Sequence, residues 1–322
     1  ADVIVGVSTI DADQARVNAT TAGTVDDMLR EAAAAWRRAL SAVEVHDPDQ
    51  VSPDALRSLA GSLGRVLTYP NAYDEPGPEG PRYRSPVDGE LRPGSFSATH
   101  GFWDTYRTAW PLLGLLAPDR AGALADGFVQ HFADAGWVAR WSAPGPVDCM
   151  TGTTSDTVFA GLAAQGVPFR LEEAYRSALH HATVPASDAR VGRKGLRPGI
   201  FRGYVDTRVH EGMSWTLDNA INDASAACLA LALLDQPDAQ PGPSALSTTA
   251  VSTKIADSDA DASARIDRLT AEADYLARRA LGYRSVFHRG LGFFLGRDEV
   301  GGWRVAEADF DPAEWGHDYT ET

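Results

Sequence analysis

The sequence predicts a mainly α protein, a domain assembled from paired helices. Three observations carry this. Apolar residues recur at three- to four-residue spacing in eight separate stretches. The connections between them are short or looped, as in bundles of antiparallel helix pairs. The one isolated β-type run, residues 3–7, stands alone at the N-terminus with Gly6 inside it.

Taken in order, residues 3–7 read as a strand whose sheet must come from outside this chain, because a lone strand is unstable in water. At Thr24 the pattern turns helical. Thr24 is an N-cap, Asp26 and Asp27 fill the first turn, and Met28, Leu29, Ala32, Trp36, Leu40 and Val43 mark one apolar face. Residues 53–67 form a second helix. Residues 70–93, dense in Pro, Gly and charge, read as a long loop, and loops of that length often line a site. Helices follow at 103–116, 121–134, 155–165, 171–183, 214–234 and 263–281. Residues 182–208 are irregular. Residues 235–258, polar and rich in Pro, Ser and Thr, read as a surface insertion or linker. Periodicity leaves open whether the helix pairs close into a ring.

Bulk properties narrow the function. The net charge of −15 opposes general nucleic-acid binding, since phosphate is repelled. No run of 18 apolar residues occurs, so no membrane-spanning segment is expected. Cys149 and Cys228 are the only cysteines, which excludes a thiolate zinc site. Their surroundings read as those of free, buried thiols, with a disulfide between them left open. Asp2 and the break at Ser8 do not fit a signal peptide; either a signal was removed or the chain was cut elsewhere.

Three segments carry candidate chemistry. In residues 210–228, Leu217, Ala220, Ile221, Ala224 and Cys228 form a stripe expected to face a core, and Asp218, Asn222 and Ser225 form a neighbouring stripe. Asp218 is then either a proton donor or acceptor at a pocket mouth, or a first-turn carboxylate favoured by the helix dipole. Trp103, Asp104, Tyr106, Arg107 and Trp110 supply the mixture of rings and charges that holds a sugar, with the aromatics equally readable as core. Arg107, three residues on, is the expected partner of Asp104. Residues 148–156 place hydroxyls and backbone N–H groups ahead of a helix, either as caps or as a cradle for hydroxyls or phosphate.

Four motifs occur in one order along the chain. Trp103-Asp104-Thr105-Tyr106-Arg107 with Pro111-Leu112 resembles the Trp-Asp-Thr-(aromatic)-Arg…Pro-Leu signature of glycoside hydrolase family 92, the exo-acting α-mannosidases. Met150-Thr151-Gly152-Thr153-Thr154-Ser155-Asp156 is similar to that family's Met-x-Gly-x-x-(Ser/Ala)-Asp turn. Ser214-Trp215-Thr216-Leu217-Asp218 resembles its Ser-x-Thr-Leu-Glu helix start. The segment from Phe310-Asp311-Pro312 to Trp315-Gly316-His317-Asp318-Tyr319-Thr320-Glu321 is similar to its Phe-Asp-Pro…Trp-Gly-Gly-Asp-Tyr-Thr-Glu.

The resemblance implies an (α/α)6 barrel preceded by a β-sandwich. Residues 1–20 would be the end of that sandwich and a connection, 21–100 linker helices and loop, and 101–322 part of the barrel, in a chain open at both ends. It implies a secreted, calcium-dependent enzyme acting on a mannose-containing glycan. Asp104 would bond the bound mannose with Trp103 in support and Arg107 alongside, and Gly152, Thr153 and Asp156 would contact sugar. Glu321 would be a calcium ligand, held by hard oxygen donors. The family is inverting and places a Glu general acid after Thr-Leu; Asp218 stands there instead. Asp is one methylene shorter, and Glu211, seven residues earlier, is the group available to compensate. His317 stands where the family has Gly, either as a sugar or phosphate contact or as an exposed loop residue. The general base lies in a family segment downstream of Tyr-Thr-Glu. The Asp218 departure has a chemical meaning: a sugar alkoxide needs a proton to leave, whereas a phosphomonoester does not. A mannose-1-phosphodiester is therefore the expected substrate, with an ordinary α-1,2-mannoside and a non-catalytic mannan-binding role as alternatives.

Overall fold

The computed structural model describes residues 2–21, 23–235, 259–314, 316 and 319. The chain is mainly helical, with small sheets. Residues 2–7 make no ladder with any other described residue, and Val3, Val5 and Val7 are 80%, 76% and 78% exposed. Gly6 lies flush on α1 (Ala12–Thr21), where a Cβ would meet the Ala15 carbonyl at 2.0 Å. That helix is not signalled in the sequence, because it is largely polar. Glu75 ties the segment down by accepting from Ser8 Oγ at 2.9 Å and from the Thr9 N–H at 2.6 Å.

Helix α2 (Val25–Leu40) starts as its sequence requires, with Thr24 and Asp27 forming a reciprocal capping box. Its apolar face packs on α3 (Pro53–Thr68), yet neither helix holds a buried residue, and Leu29 and Trp36 remain exposed.

The segment expected to be a loop is instead β structure. Strands β1 (Asn71–Ala72), β2 (Glu75–Gly77), β3 (Gly80–Arg84), β4 (Leu91–Pro93) and β5 (Ser97–Ala98) follow in turn, with β2–β3–β4 an antiparallel meander and β1 paired to β5. Strands of two to five residues with Pro76 opposite Pro81 leave no alternating pattern to read. The segment is anchored by buried Tyr83 and Phe96, which stack on one another with centroids 4.7 Å apart. Phe96 stacks in turn on His131 of α6 (Pro118–Ala135) at 4.3 Å.

Strand β6 (His100–Gly101) leads into α4 (Phe102–Thr105), which is separate from α5 (Ala109–Leu116). The single helix expected over 103–116 is thus broken at 106–108, and the break turns Trp103 and Arg107 toward the site. Strands β7 (Trp141–Ser142) and β8 (Pro146–Val147) complete a three-stranded sheet with β6.

The helical body comprises α5 and α6, α7 (Ser155–Ala164) and α8 (Leu171–Thr183), and α10 (Gly212–Asp235) and α11 (Asp259–Arg279). The seven-residue α9 (Leu196–Arg202) lies in the segment expected to be irregular. Residues 236–258, the expected insertion, lie outside the described residues.

Helix α10 is central, packing on α7, α8 and α11. Its orientation corrects the sequence expectation. The polar stripe Asp218, Asn222 and Ser225 is buried; of the expected apolar stripe Ala220 is buried, while Ala224 and Cys228 are exposed and Leu217 and Ile221 half-buried. Trp215, Ala226, Leu229 and Leu233 supply the inward apolar contacts. Surrounded on most of its circumference, α10 shows no single apolar face, and choosing one from spacing selects its thin outward strip. Its length and mean hydropathy of 1.2 would suit a membrane span, but its buried Asp218, Asn222 and Asp223 mark it as a core helix here. Cys149 and Cys228 are free thiols, and Cys228 is exposed rather than buried.

Candidate active site

The site forms where α4, the 150–153 turn and the first two turns of α10 converge. Helix α10 begins at Gly212, so Asp218 is its seventh residue and no acid occupies its first turn. The helix-dipole reading of Asp218 therefore fails. Its carboxylate is 1% exposed and points at the turn, accepting from Thr151 Oγ1. The Trp103 indole and the Arg107 guanidinium lie close enough to act on its charge. Burial pushes its pKa up to about 6 against the pull of those partners. Such a group keeps its proton at mildly acidic pH and can give it up.

The turn itself is conformationally specialised. Met150, at φ 60°, and Gly152, at φ 75°, are both left-handed. A Cβ on Gly152 would meet the Asp218 Cβ at 2.8 Å and Asn222 Oδ1 at 3.0 Å, so only glycine lets the turn lie flat on α10. Asn222 Oδ1 also accepts from the Thr153 N–H at 2.7 Å, pinning the turn one helical turn beyond Asp218. Glu211, at φ 61°, is a further non-glycine residue held left-handed beside the site. Such strain persists where surrounding structure enforces it, and it gathers at functional sites.

The remaining candidates are placed as follows. Asp104 is exposed and accepts from Trp141 Nε1 at 3.2 Å, not from Arg107. Arg107 is exposed as well, its guanidinium 4.9 Å over the Tyr106 ring and bonded to the Tyr106 hydroxyl. Trp110 is core, donating to His100 Nε2 at 2.8 Å. Glu211 sits 3.5 Å from His210 Nδ1 and is partly buried. Thr153 and Asp156 are buried behind the turn. Asp156 accepts from Thr153 Oγ1 at 2.7 Å and Arg193 Nη2 at 3.3 Å, and its other oxygen lies 2.8 Å from His181 Nδ1. Its oxygens are thus engaged within the protein, supporting the turn. His317 and Glu321 lie outside the described residues.

Sequence reasoning missed Thr151 as the partner of Asp218, Trp141 as the partner of Asp104, and Arg193 behind the turn. Only Arg193 left a signal: it lies in Gly192-Arg193-Lys194-Gly195, whose glycines are both left-handed, at φ 63° and 68°. Among the described residues no three His, Cys, Asp or Glu side chains gather as a metal cluster.

A buried carboxylic acid with an indole and a guanidinium beside it, carried on a helical scaffold, suits a hydrolase acting on carbohydrate. The chain belongs to glycosyl hydrolase family 92, whose catalytic-domain model it matches over residues 13–322. Its fold is similar to that of a family GH92 inverting mannosidase from Bacteroides thetaiotaomicron VPI-5482, with TM-score 0.80 and 26% identity, covering 98% of this chain and 38% of that one. A family GH92 α-mannosidase from the same species shares the fold with TM-score 0.73 and 20% identity, over 98% of this chain and 37% of that one. That α-mannosidase in complex with mannoimidazole aligns with TM-score 0.70 and 19% identity, over 95% and 35%. The chain thus spans well under half the length of these solved structures. Comparison with curated proteins gives no match.

Proposed function

We propose that the protein is an inverting exo-hydrolase that releases terminal α-mannose from glycans, with a mannose-1-phosphodiester as its favoured substrate. The observation that carries this reading is Asp218: a buried, protonatable carboxyl at the family's acid position, one methylene shorter than the Glu expected there. In the scheme, the terminal mannose sits at the mouth between Trp103, Asp104 and Arg107. Water attacks the anomeric carbon from the face opposite the leaving group, its proton passing to the general base that the family places downstream of Tyr-Thr-Glu, and β-mannose is released. With a phosphodiester, the bond breaks to give a phosphomonoester that needs no proton, so the reach of Asp218 matters little. The exposed Arg107 guanidinium suits the phosphate charge.

The pKa of about 6 favours a second reading, an ordinary exo-α-1,2-mannosidase in which Asp218 protonates the departing oxygen. Turnover of a mannose-α-1-phosphate ester with none on α-1,2-mannobiose supports the first reading; efficient turnover of mannobiose supports the second. The wider frame is part of the proposal: an (α/α)6 ring completed by further helix pairs, a β-sandwich before residue 21, and secretion.

Asp104→Ala in the intact protein is expected to lower kcat/KM by about ten- to a hundredfold, the loss of roughly 1–3 kcal/mol from a hydroxyl contact. Being exposed, Asp104 should leave thermal stability within about 0.5 kcal/mol of wild type. Unchanged kinetics would remove it from the sugar site. The family further implies calcium, with Glu321 as a ligand. Chelation of the intact enzyme should then abolish turnover, and calcium should restore it better than magnesium, whose octahedral demand an irregular oxygen shell does not meet. Full activity after exhaustive chelation would exclude that requirement.

A further inference from the structure

Behind the 150–153 turn lies a buried charged network that the scheme above does not use. Arg193 is at its centre, with no side-chain exposure. Its three nitrogens go to three different elements. Nε donates to Thr153 Oγ1 at 3.1 Å, on the turn. Nη2 donates to Asp156 Oδ2 at 3.3 Å, on α7. Nη1 donates to Asp223 Oδ1 at 2.5 Å, on α10. Asp223 is held from its other side by Arg279 of α11, whose Nε donates to Asp223 Oδ2 at 2.6 Å and whose Nη1 donates to the Ala182 carbonyl at 2.7 Å. His181 of α8 closes the array on Asp156. The turn is therefore pinned from behind by one guanidinium that is itself fixed to the helix carrying Asp218.

We propose that Arg193 is a positioning residue for this site: its fork locks the turn against α10 and so sets where Thr151 and Gly152 meet Asp218. The catalytic consequence rests on the reading of Asp218 as the acid. A point charge cannot replace the fork, because three acceptors in three directions need the planar guanidinium. Burial alone does not require such a group; an apolar side chain would fill the space without the cost of desolvating a cation. What the fork adds is a fixed geometry for the turn, whose Thr151 hydroxyl stabilises the Asp218 carboxylate.

The test measures the Asp218 carboxyl titration by 13C NMR in the intact protein, assigned by its loss in Asp218→Asn, alongside kinetics and thermal stability. Arg193→Lys keeps the charge but loses the fork. The charged and titratable groups around Asp218 then stay as they are: Arg107, Glu211 and Tyr106 in front, with Asp156, His181, Asp223 and Arg279 behind on α7, α8, α10 and α11. We expect the Asp218 pKa to rise by about half a unit or more as Thr151 loosens. Where wild type turns over a simple α-mannoside, its kcat should fall roughly 10- to 100-fold with KM nearly unchanged; where it does not, the titration alone decides. Thr151→Val, which removes the hydroxyl directly, should give the same upward shift, and the double variant no larger one. If Arg193→Lys does not fold, Thr153→Ala decides, since it cuts the bond to the turn and leaves the Arg193–Asp223 pair whole. The proposal is overturned if these variants lower thermal stability while the Asp218 titration and kcat stay put, or if the shifts add. Should Asp218→Asn retain full turnover on the mannoside, the acid reading falls, yet the titration still reports whether Arg193 positions the turn.

Discussion

Asp218→Asn is expected to split the two candidate substrates. On a mannose-α-1-phosphate ester the variant should keep most of its turnover, because the leaving phosphate needs no proton. That loss is far less than the roughly 10²–10⁴-fold that removing a true general acid would cause. Asp218→Glu restores the longer reach and should raise mannobiose turnover while changing phosphodiester turnover little. If wild type cleaves mannobiose efficiently and Asp218→Asn destroys that activity, the phosphodiester preference is wrong. Asp218→Asn also carries a stability signature. Burial raises the Asp218 pKa from 3.8 to about 6, so the native state binds this proton more tightly than the unfolded chain does. Stability from this group is present below about pH 4 and is lost as pH rises through about 6, on the order of 3 kcal/mol in all. The Asn variant should therefore be more heat-stable than wild type at pH 7 and lose that advantage at pH 4. Thermal unfolding at the two pH values reads this directly.

Gly152→Ala is expected to be the most damaging single methyl in the site. Two costs combine at one atom. The residue sits at φ 75°, where an L side chain costs roughly 1–2 kcal/mol. Its new Cβ would also stand 2.8 Å from the Asp218 Cβ, an overlap worth about 1–3 kcal/mol more in a packed setting. The turn must lift off α10 to relieve the overlap, and that separates Thr151 from Asp218. A displacement near 1 Å costs about a hundredfold in rate. We expect kcat to fall by at least that factor, with destabilisation of roughly 2–5 kcal/mol by denaturant unfolding. Gly136, equally left-handed but with open space around its Cβ position, is the control: alanine there should cost stability modestly and activity not at all.

The family was legible because its four motifs are local, each a few residues whose types and order survive without any knowledge of packing. Helix positions were legible for the same reason. Capping at Thr24, and the apolar spacing over α6 and α8, act within a turn or two of chain. Short strands such as β2 and β3 escaped, because their pairing depends on a partner rather than on their own pattern.

The sequence by itself determined that helices dominate and that the chain carries the motifs of its family. Tertiary structure alone decided which face of α10 is inside. Once α7, α8 and α11 surround a helix, burial no longer follows apolar spacing, and Asp218 and Asn222 are buried because Thr151, Thr153 and Gly152 come to meet them. It also decided that Asp156 supports the turn rather than facing the mouth, that Asp104 pairs with Trp141 rather than Arg107, and that Arg193, 25 residues before Asp218 in the chain, reaches its surroundings through Thr153 and Asp223. Hydrogen bonds between residues far apart in sequence exist only once the elements have packed, and no local pattern encodes them.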